Sequence, residues 1–255
     1  MTLQGYTYFV TEYFESIQGE GNFSGVNSLF LRFHYCNLTC SWCDTKYTWF
    51  ADSGKFEPFT AEQLKKLIHS HQSPHVIFTG GEPTLYRLDK LVIPGKKYHV
   101  ETNGTYIPTD PIDVVLANQN RFQREAMDES VIRNFNWVIS PKLSNAHQEI
   151  NEQSLFYWSQ KDYCIFKFIV RNIADLDEVQ SLLIKFNISS RKVYIGIEGQ
   201  TLQSQLNPDL VDEIIKRGLN FSPRLHVLLW GAKRRKYIAF HHPVARLMSK
   251  IIKNS

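Results

Sequence analysis

Three of the four cysteines, Cys36, Cys40 and Cys43, form a C-x-x-x-C-x-x-C loop directly after the apolar run 29–33. Thiolates are soft ligands suited to zinc or iron–sulfur clusters, and three this close can wrap one compact metal centre. A structural zinc site normally takes four protein ligands, and no second cysteine pair follows. On a four-iron (4Fe-4S) cluster, three thiolates leave one iron open to a non-protein ligand, which points to a reaction rather than a staple. The remaining cysteine, Cys164, sits in the apolar run 163–170 and reads as a buried small hydrophobe.

The residues around the loop narrow the chemistry. Upstream stands Glu15-Ser16-Ile17-Gln18-Gly19-Glu20-Gly21, then Phe30-Leu31-Arg32-Phe33, and the loop ends in Cys40-Ser41-Trp42-Cys43-Asp44-Thr45-Lys46-Tyr47. The cysteine spacing resembles that of radical S-adenosylmethionine (SAM) enzymes, and the flanks resemble the 7-carboxy-7-deazaguanine synthases among them, over most of the chain to about residue 233. The resemblance implies that the open iron binds SAM. Gly80, Gly81 and Glu82 of a G-G-E-P turn, Asn103 of E-T-N-G, Ser140 and Lys142 of S-P-K, and Gly196, Ile197 and Glu198 would hold that cofactor. It also implies a pterin substrate gripped by Ile17, Gln18, Gly19, Glu20 and Thr79, and a Mg2+ ion on the Thr45 hydroxyl, completed by substrate carboxylate and waters. Arg32 is the side chain suited to the substrate carboxylate, since a guanidinium binds carboxylate bidentately and keeps its charge when partly buried.

The implied reaction is radical ring contraction of 6-carboxy-5,6,7,8-tetrahydropterin to 7-carboxy-7-deazaguanine with release of ammonia, on a pathway of the queuosine type. An electron donor such as flavodoxin or ferredoxin would reduce the cluster. Two rivals stand beside it: another radical SAM reaction, such as glycyl-radical activation of a partner enzyme, and a zinc-stapled nucleic-acid binder. Three departures from the family pattern are visible. Ile197 replaces the usual Pro before Glu198-Gly199; Tyr35, preceded by His34, replaces the Gly that usually precedes the first cysteine; and the chain continues past Gly231, near where relatives end.

Positioning such loops requires a scaffold with strand ends on one side, and the order of elements provides it. Apolar or β-branched runs near 6–14, 28–33, 76–78, 97–101, 112–116, 137–139, 163–170, 193–197 and 225–230 read as strands. Helices are expected near 60–71, where Thr60 and Gln63 make a capping box, and near 84–91, 154–160, 176–186 and 207–218. The stretch 118–134 is polar enough for a helix or an excursion. Strands alternating with helices predict an α/β fold: an incomplete, partly open parallel β/α barrel over 1–235 with the special tripeptides at strand ends, followed by a C-terminal helical extension over 236–255.

Composition fits a soluble chain, with 43% hydrophobic and 21% charged residues. No apolar run approaches membrane-spanning length and no signal-peptide layout opens the chain, so a cytoplasmic, reducing setting is expected and no membrane partner. After Glu213 there are ten basic residues and no acidic one. Such an end could meet a polyanion, but a solvated helix face is the plainer reading and nucleic acid is not expected. Val244, Leu247, Met248, Ile251 and Ile252 recur at helical spacing after Pro243, an amphipathic stripe that would dock on the barrel or on a second subunit as a homodimer.

From the spacing alone, Cys36→Ala, Cys40→Ala or Cys43→Ala should each abolish a stable four-iron cluster, whereas Cys164→Ala should not. Iron and sulfide analysis with electron paramagnetic resonance checks this, and full cluster occupancy in any of the first three variants would overturn the assignment.

Overall fold

The computed structural model describes residues 2–4, 6–117 and 120–231. In chain order the strands are β1 (Thr2–Gln4), β2 (Tyr8–Ile17), β3 (Asn27–Phe33), β4 (Glu57–Phe59), β5 (His75–Gly80), β6 (Lys97–Thr102), β7 (Ile112–Val115), β8 (Arg121–Arg124), β9 (Asn136–Ile139), β10 (Cys164–Val170), β11 (Val193–Ile197) and β12 (Asn220–Phe221). The helices are α1 (Ala61–Ser70), α2 (Glu129–Ile132), α3 (Glu152–Ser159), α4 (Ile173–Phe186), α5 (Leu202–Gln205), α6 (Pro208–Lys216) and α7 (Leu225–Trp230).

Nine strands form the main sheet in the order β12-β11-β10-β9-β6-β5-β3-β2-β4. From β12 to β3 every pairing is parallel, whereas β2 runs antiparallel to both β3 and β4. The sheet curls on itself. The Gly21 amide, just past β2, donates to Ser222 Oγ just past β12 (2.7 Å), and the Leu225 amide donates to the Gly19 carbonyl (2.8 Å). Sheet hydrogen bonds do not close the ring, because β4 and β12 each pair on one side. The expected partly open parallel β/α barrel is therefore present. The expected C-terminal extension lies outside the described residues.

Strand alternation divides the molecule into a core and a cavity. On β3, Leu29, Leu31 and Phe33 are fully buried while Phe30 and Arg32 face the opposite side and line a cavity. On β10, Phe166, Phe168 and Val170 join the core while Lys167 and Ile169 line the cavity. Helix α1 forms where the capping box was read, with the Gln63 amide donating to Thr60 Oγ1 and its side chain accepting from the Thr60 amide. Cys164 is buried in β10, its thiol donating to the Trp158 carbonyl, as expected of a structural thiol.

Three elements differ from the sequence reading. The helix expected over 84–91 is instead two 3-10 turns, Pro83–Leu85 and Leu88–Leu91. Residues 82–89 are buried throughout, and Tyr86 is extended, its hydroxyl donating to the His34 carbonyl, so no solvent face remains for an amphipathic helix. The strand expected over 225–230 is helix α7, and the sheet ends at β12 instead. A short apolar run does not distinguish strand from helix by periodicity, and here the segment after Pro223 is fixed by Arg224 and the Leu225 amide rather than by a ladder. Within 118–134, β8 pairs with β1 and β7 in a separate three-stranded sheet, followed by the single turn of α2.

The alternation on β10 gives a direct check on the core. Phe168→Ala should lower unfolding stability by about 3–5 kcal/mol, the usual range for removing a fully buried phenyl ring. Denaturant unfolding of the purified protein measures this, and a loss below about 1 kcal/mol would contradict the placement of Phe168.

Candidate active site

The main cavity, about 490 Å³, lies inside the curled sheet. Its walls hold most of the residues singled out from the sequence. Cys36, Cys40, Cys43 and Thr45 come from the loop after β3, Ile17 from the end of β2 and Gln18 to Glu20 from the loop after it, and Arg32 from β3 itself. Thr79 and Gly80 close β5 and Gly81 follows it, Asn103 follows β6, Ser140 and Lys142 follow β9, and Glu198 follows β11. Glu82, Gly196 and Ile197 are buried behind the wall instead.

Glu82 is turned inward. Its Oε1 accepts from the Thr84 amide (2.9 Å), Thr84 Oγ1 (2.6 Å) and Thr102 Oγ1 (2.7 Å), and its Oε2 accepts from the Asn103 amide (2.8 Å). This carboxylate ties the turn after β5 to the turn after β6. The turn before it also packs closely on the protein's own backbone: the Gly81 and Glu82 amides donate to the carbonyls of Phe33 and Tyr35 (3.0 and 2.8 Å). A Cβ on Gly81 would come within 2.0 Å of the Tyr35 carbonyl oxygen, so the turn packs bare backbone against the start of the cysteine loop.

Tyr35 keeps the backbone that a glycine would have there, with φ +69°. Its ring is buried among Phe9, His34, Phe56 and Phe122 and packs edge-on to Phe9 at 5.5 Å, so it turns into the core. The neighbouring His34 accepts the Thr11 hydroxyl at Nδ1 (2.8 Å) and donates from Nε2 to the Phe50 carbonyl (2.6 Å), an assignment of the tautomer from its partners. Burial lowers its pKa, in keeping with a neutral ring. Together with the Cys36 amide donating to the Trp49 carbonyl (3.2 Å), these bonds hold both ends of the cysteine loop.

The donor set fits an iron–sulfur cluster. The Leu38 and Thr45 amides donate to Cys36 and Cys43 Sγ (both 3.4 Å), and hydrogen bonds to sulfur stabilise thiolate character in such centres. Burial raises the Cys36 and Cys40 thiols, so bound metal rather than the protein field must supply their deprotonation. Among the described residues no three His, Cys, Asp or Glu side chains are gathered to hold one metal ion.

A row of charges lines the cavity, and of its members the sequence reading gave a role to Glu20 alone. Lys167 Nζ donates to Glu20 Oε2 and Glu101 Oε2, both at 2.7 Å. Gln18 Nε2 donates to Glu101 Oε1 (2.8 Å), while Gln18 Oε1 accepts from the Gly19 amide (2.7 Å). Arg224 donates from Nε to Glu20 Oε1 (3.0 Å) and from Nη2 to Asp44 Oδ2 (2.6 Å). Burial favours a neutral Glu20, but Lys167, Arg224 and His226 overcome it and hold the carboxyl well below its ordinary pKa. Burial likewise opposes the Lys167 charge, yet Glu101 and Glu20 raise its amine well above the ordinary value. The signal for Lys167 was present in the sequence, as a lone charge inside the apolar run of β10. Arg224 gave none, being one cation of the basic end.

Arg32 and Glu12 form a second pair, Nε to Oε1 at 2.9 Å, and Tyr47 OH donates to the same oxygen (3.1 Å). Engaging Nε leaves the terminal amino groups of the guanidinium as the fork that can meet a ligand. Phe14 and Phe30 stack in parallel on the same wall, with ring centroids 5.1 Å apart. From α7, His226, Val227 and Trp230 complete the rim.

Comparison with known proteins agrees with this arrangement. The radical SAM superfamily family model matches residues 31–123. A 7-carboxy-7-deazaguanine synthase of Hyperthermus butylicus is 33% identical over 86% of this chain and 92% of its own length. One of Pyrobaculum aerophilum is 30% identical over 89% of this chain and 96% of its own. The crystal structure of QueE from Escherichia coli superposes with a TM-score of 0.64 at 23% identity, covering 86% of this chain and 95% of that one, which is a likeness of fold.

The αL backbone of Tyr35 gives a test of how the loop is supported. Tyr35→Gly relieves about 1–2 kcal/mol of backbone strain but forfeits about 3–5 kcal/mol of aromatic packing. The variant should lose about 1–4 kcal/mol by anaerobic unfolding while retaining its iron content. A gain in stability would contradict the buried ring.

Proposed function

The chain belongs to the radical SAM superfamily and, within it, to the 7-carboxy-7-deazaguanine synthases, and from that premise we propose that it contracts the ring of 6-carboxy-5,6,7,8-tetrahydropterin to 7-carboxy-7-deazaguanine with release of ammonia. What supports the reading most is that a guanidinium fork and a row of carboxyl side chains share one cavity with the three cysteines. A cluster on Cys36, Cys40 and Cys43 with SAM, reduced by a donor such as flavodoxin or ferredoxin, supplies the hydrogen abstraction that starts the rearrangement. The protein's own residues bind and orient.

Arg32 takes the substrate carboxylate with its terminal amino groups, and Glu12 fixes the plane of that fork through Nε. The Glu12 charge also offsets the cost of holding an arginine on a mostly buried wall. Thr45 lies on the cavity wall next to Cys43, where its hydroxyl could serve as one ligand of a Mg2+ ion completed by substrate and water oxygens. Glu20 and Glu101, the latter held by Gln18, present acceptors to the polar edge of the ring, while Phe14 and Phe30 offer it an apolar surface. Asn103, Ser140, Lys142 and Glu198 remain for SAM, with the backbone of Gly80 and Gly81. His226, Val227 and Trp230 narrow the rim and keep water from a radical reaction.

The direct experiment is anaerobic incubation of the reduced, cluster-loaded protein with SAM and the carboxytetrahydropterin, followed by mass spectrometry. Product that has lost ammonia is expected; cleavage of SAM with the pterin unchanged would sink the assignment. Arg32→Lys keeps the charge but loses the fork, at a cost of about 1.5–3 kcal/mol, so substrate affinity should fall on the order of tenfold to a hundredfold. Thr45→Ala should make the rate more dependent on added magnesium. Both variants should still load cluster and SAM. Initial rates against pterin and magnesium distinguish these effects, and unchanged dependences in both variants would defeat the substrate site.

A further inference from the structure

We propose that Lys167 is a positioning residue of the substrate site, bridging Glu20 and Glu101 so that both stay ionised and aimed into the cavity as acceptors for the amino and ring N–H groups of the pterin. This rests on the reading of the substrate given above.

The geometry makes the bridge specific. Lys167 reaches inward from β10, its side chain 9% exposed, and its ammonium donates 2.7 Å to one oxygen of each carboxylate. Glu20 lies past β2, near one edge of the sheet, and Glu101 on β6 at its middle, and both face the cavity. A carboxylate has about four lone-pair directions. Among the described residues Glu20 accepts from Lys167 and Arg224, and Glu101 from Lys167 and Gln18, so each retains acceptor capacity toward the cavity. Two ionised carboxylates beside an apolar stack of phenyl rings would repel and take up a proton without a cation between them. A protonated carboxyl would present a donor where the ligand's N–H edge needs an acceptor.

The other charges around the bridge decide where that proton would go. Among the described residues Glu20 keeps Arg224 at 3.0 Å and His226 at 4.0 Å, whereas Glu101 keeps the uncharged Gln18 amide. Lys142, on the neighbouring wall, adds positive field at longer range, and Asp44 draws the far side of Arg224. Removing the Lys167 charge therefore leaves Glu101 with the weaker compensation of the two. A desolvated carboxyl that loses its cation takes up a proton more readily.

The test measures pterin binding by anaerobic calorimetry, using cluster-loaded protein with SAM and no reductant, between about pH 6 and pH 8.5. Wild type and Lys167→Arg should share one shallow pH dependence. Lys167→Met should bind about tenfold more weakly than wild type near pH 6 and recover most of that loss near pH 8.5, and Lys167→Met with Glu101→Gln should lose this recovery. A loss equal at every pH, or no loss, would overturn the proposal. A substrate-independent readout is the thermal midpoint. An acid whose folded pKa is raised gains folded stability as pH falls through it, so Lys167→Met should gain on wild type from about pH 8 to pH 6. Should Lys167→Met not fold, Glu101→Gln with Lys167 intact stands in, and it should bind about tenfold more weakly at all pH; undiminished binding would overturn the proposal. If wild type shows no pterin binding while the midpoints behave as stated, the functional reading fails and the ionising role of Lys167 survives.

Discussion

The bridge from Lys167 to Glu20 and Glu101 joins parts of the chain that the sheet leaves unpaired. Sheet hydrogen bonds run from β12 to β4 without closing, yet a lysine on β10 contacts a glutamate in the loop that follows β2, near the other edge. Arg224 repeats the contact from the segment after β12 and extends it to Asp44 in the cysteine loop. A charge removed from water must be compensated by close partners or it destabilises the fold, and breaking one buried pair typically costs about 3–5 kcal/mol. The partial barrel is thus held in its curl by charges that also form the wall of its cavity. The interactions that close the fold and those that face a ligand are largely the same.

The cysteine loop depends on a second set of contacts with little charge in it. Its start is clamped by bare backbone, the Gly80–Gly81 turn on one side and the carbonyls of Phe33 and Tyr35 on the other. Its end is tied by His34 to Phe50 and by the Cys36 amide to Trp49. Tyr35 in the left-handed region shows that the conformation of the residue before the first cysteine is what the site needs. The strain of a side chain there is offset by burying its ring among Phe9, Phe56 and Phe122, the last contributed by β8 of the small sheet. The polar excursion between β6 and β9 thereby supports the cluster end of the cavity from behind.

Of the ten basic residues after Glu213, Lys216, Arg217 and Arg224 lie among the described residues. Arg217 is paired with Glu213 and Asp177, Lys216 lies near Glu213, and Arg224 is built into the cavity wall.

By itself the sequence determined the metal chemistry and the family, because three thiolates at fixed spacing and the I-Q-G-E-G and W-C-D-T flanks are local patterns that need no fold to be read. It also determined most of the parallel strands and helix α1, because apolar runs and a capping box report local preference directly. The tertiary structure decided what happens where local preference is weak or buried on all sides: the 3-10 turns over 83–91, and the helix over 225–230 where an apolar run was equally consistent with a strand. It alone decided the partners of Glu12, Glu20, Glu101, Lys167 and Arg224, which lie up to 204 positions apart in the chain. Charge pairing acts through space, and its partners become known only once the sheet has curled far enough to bring its two edges within hydrogen-bonding distance.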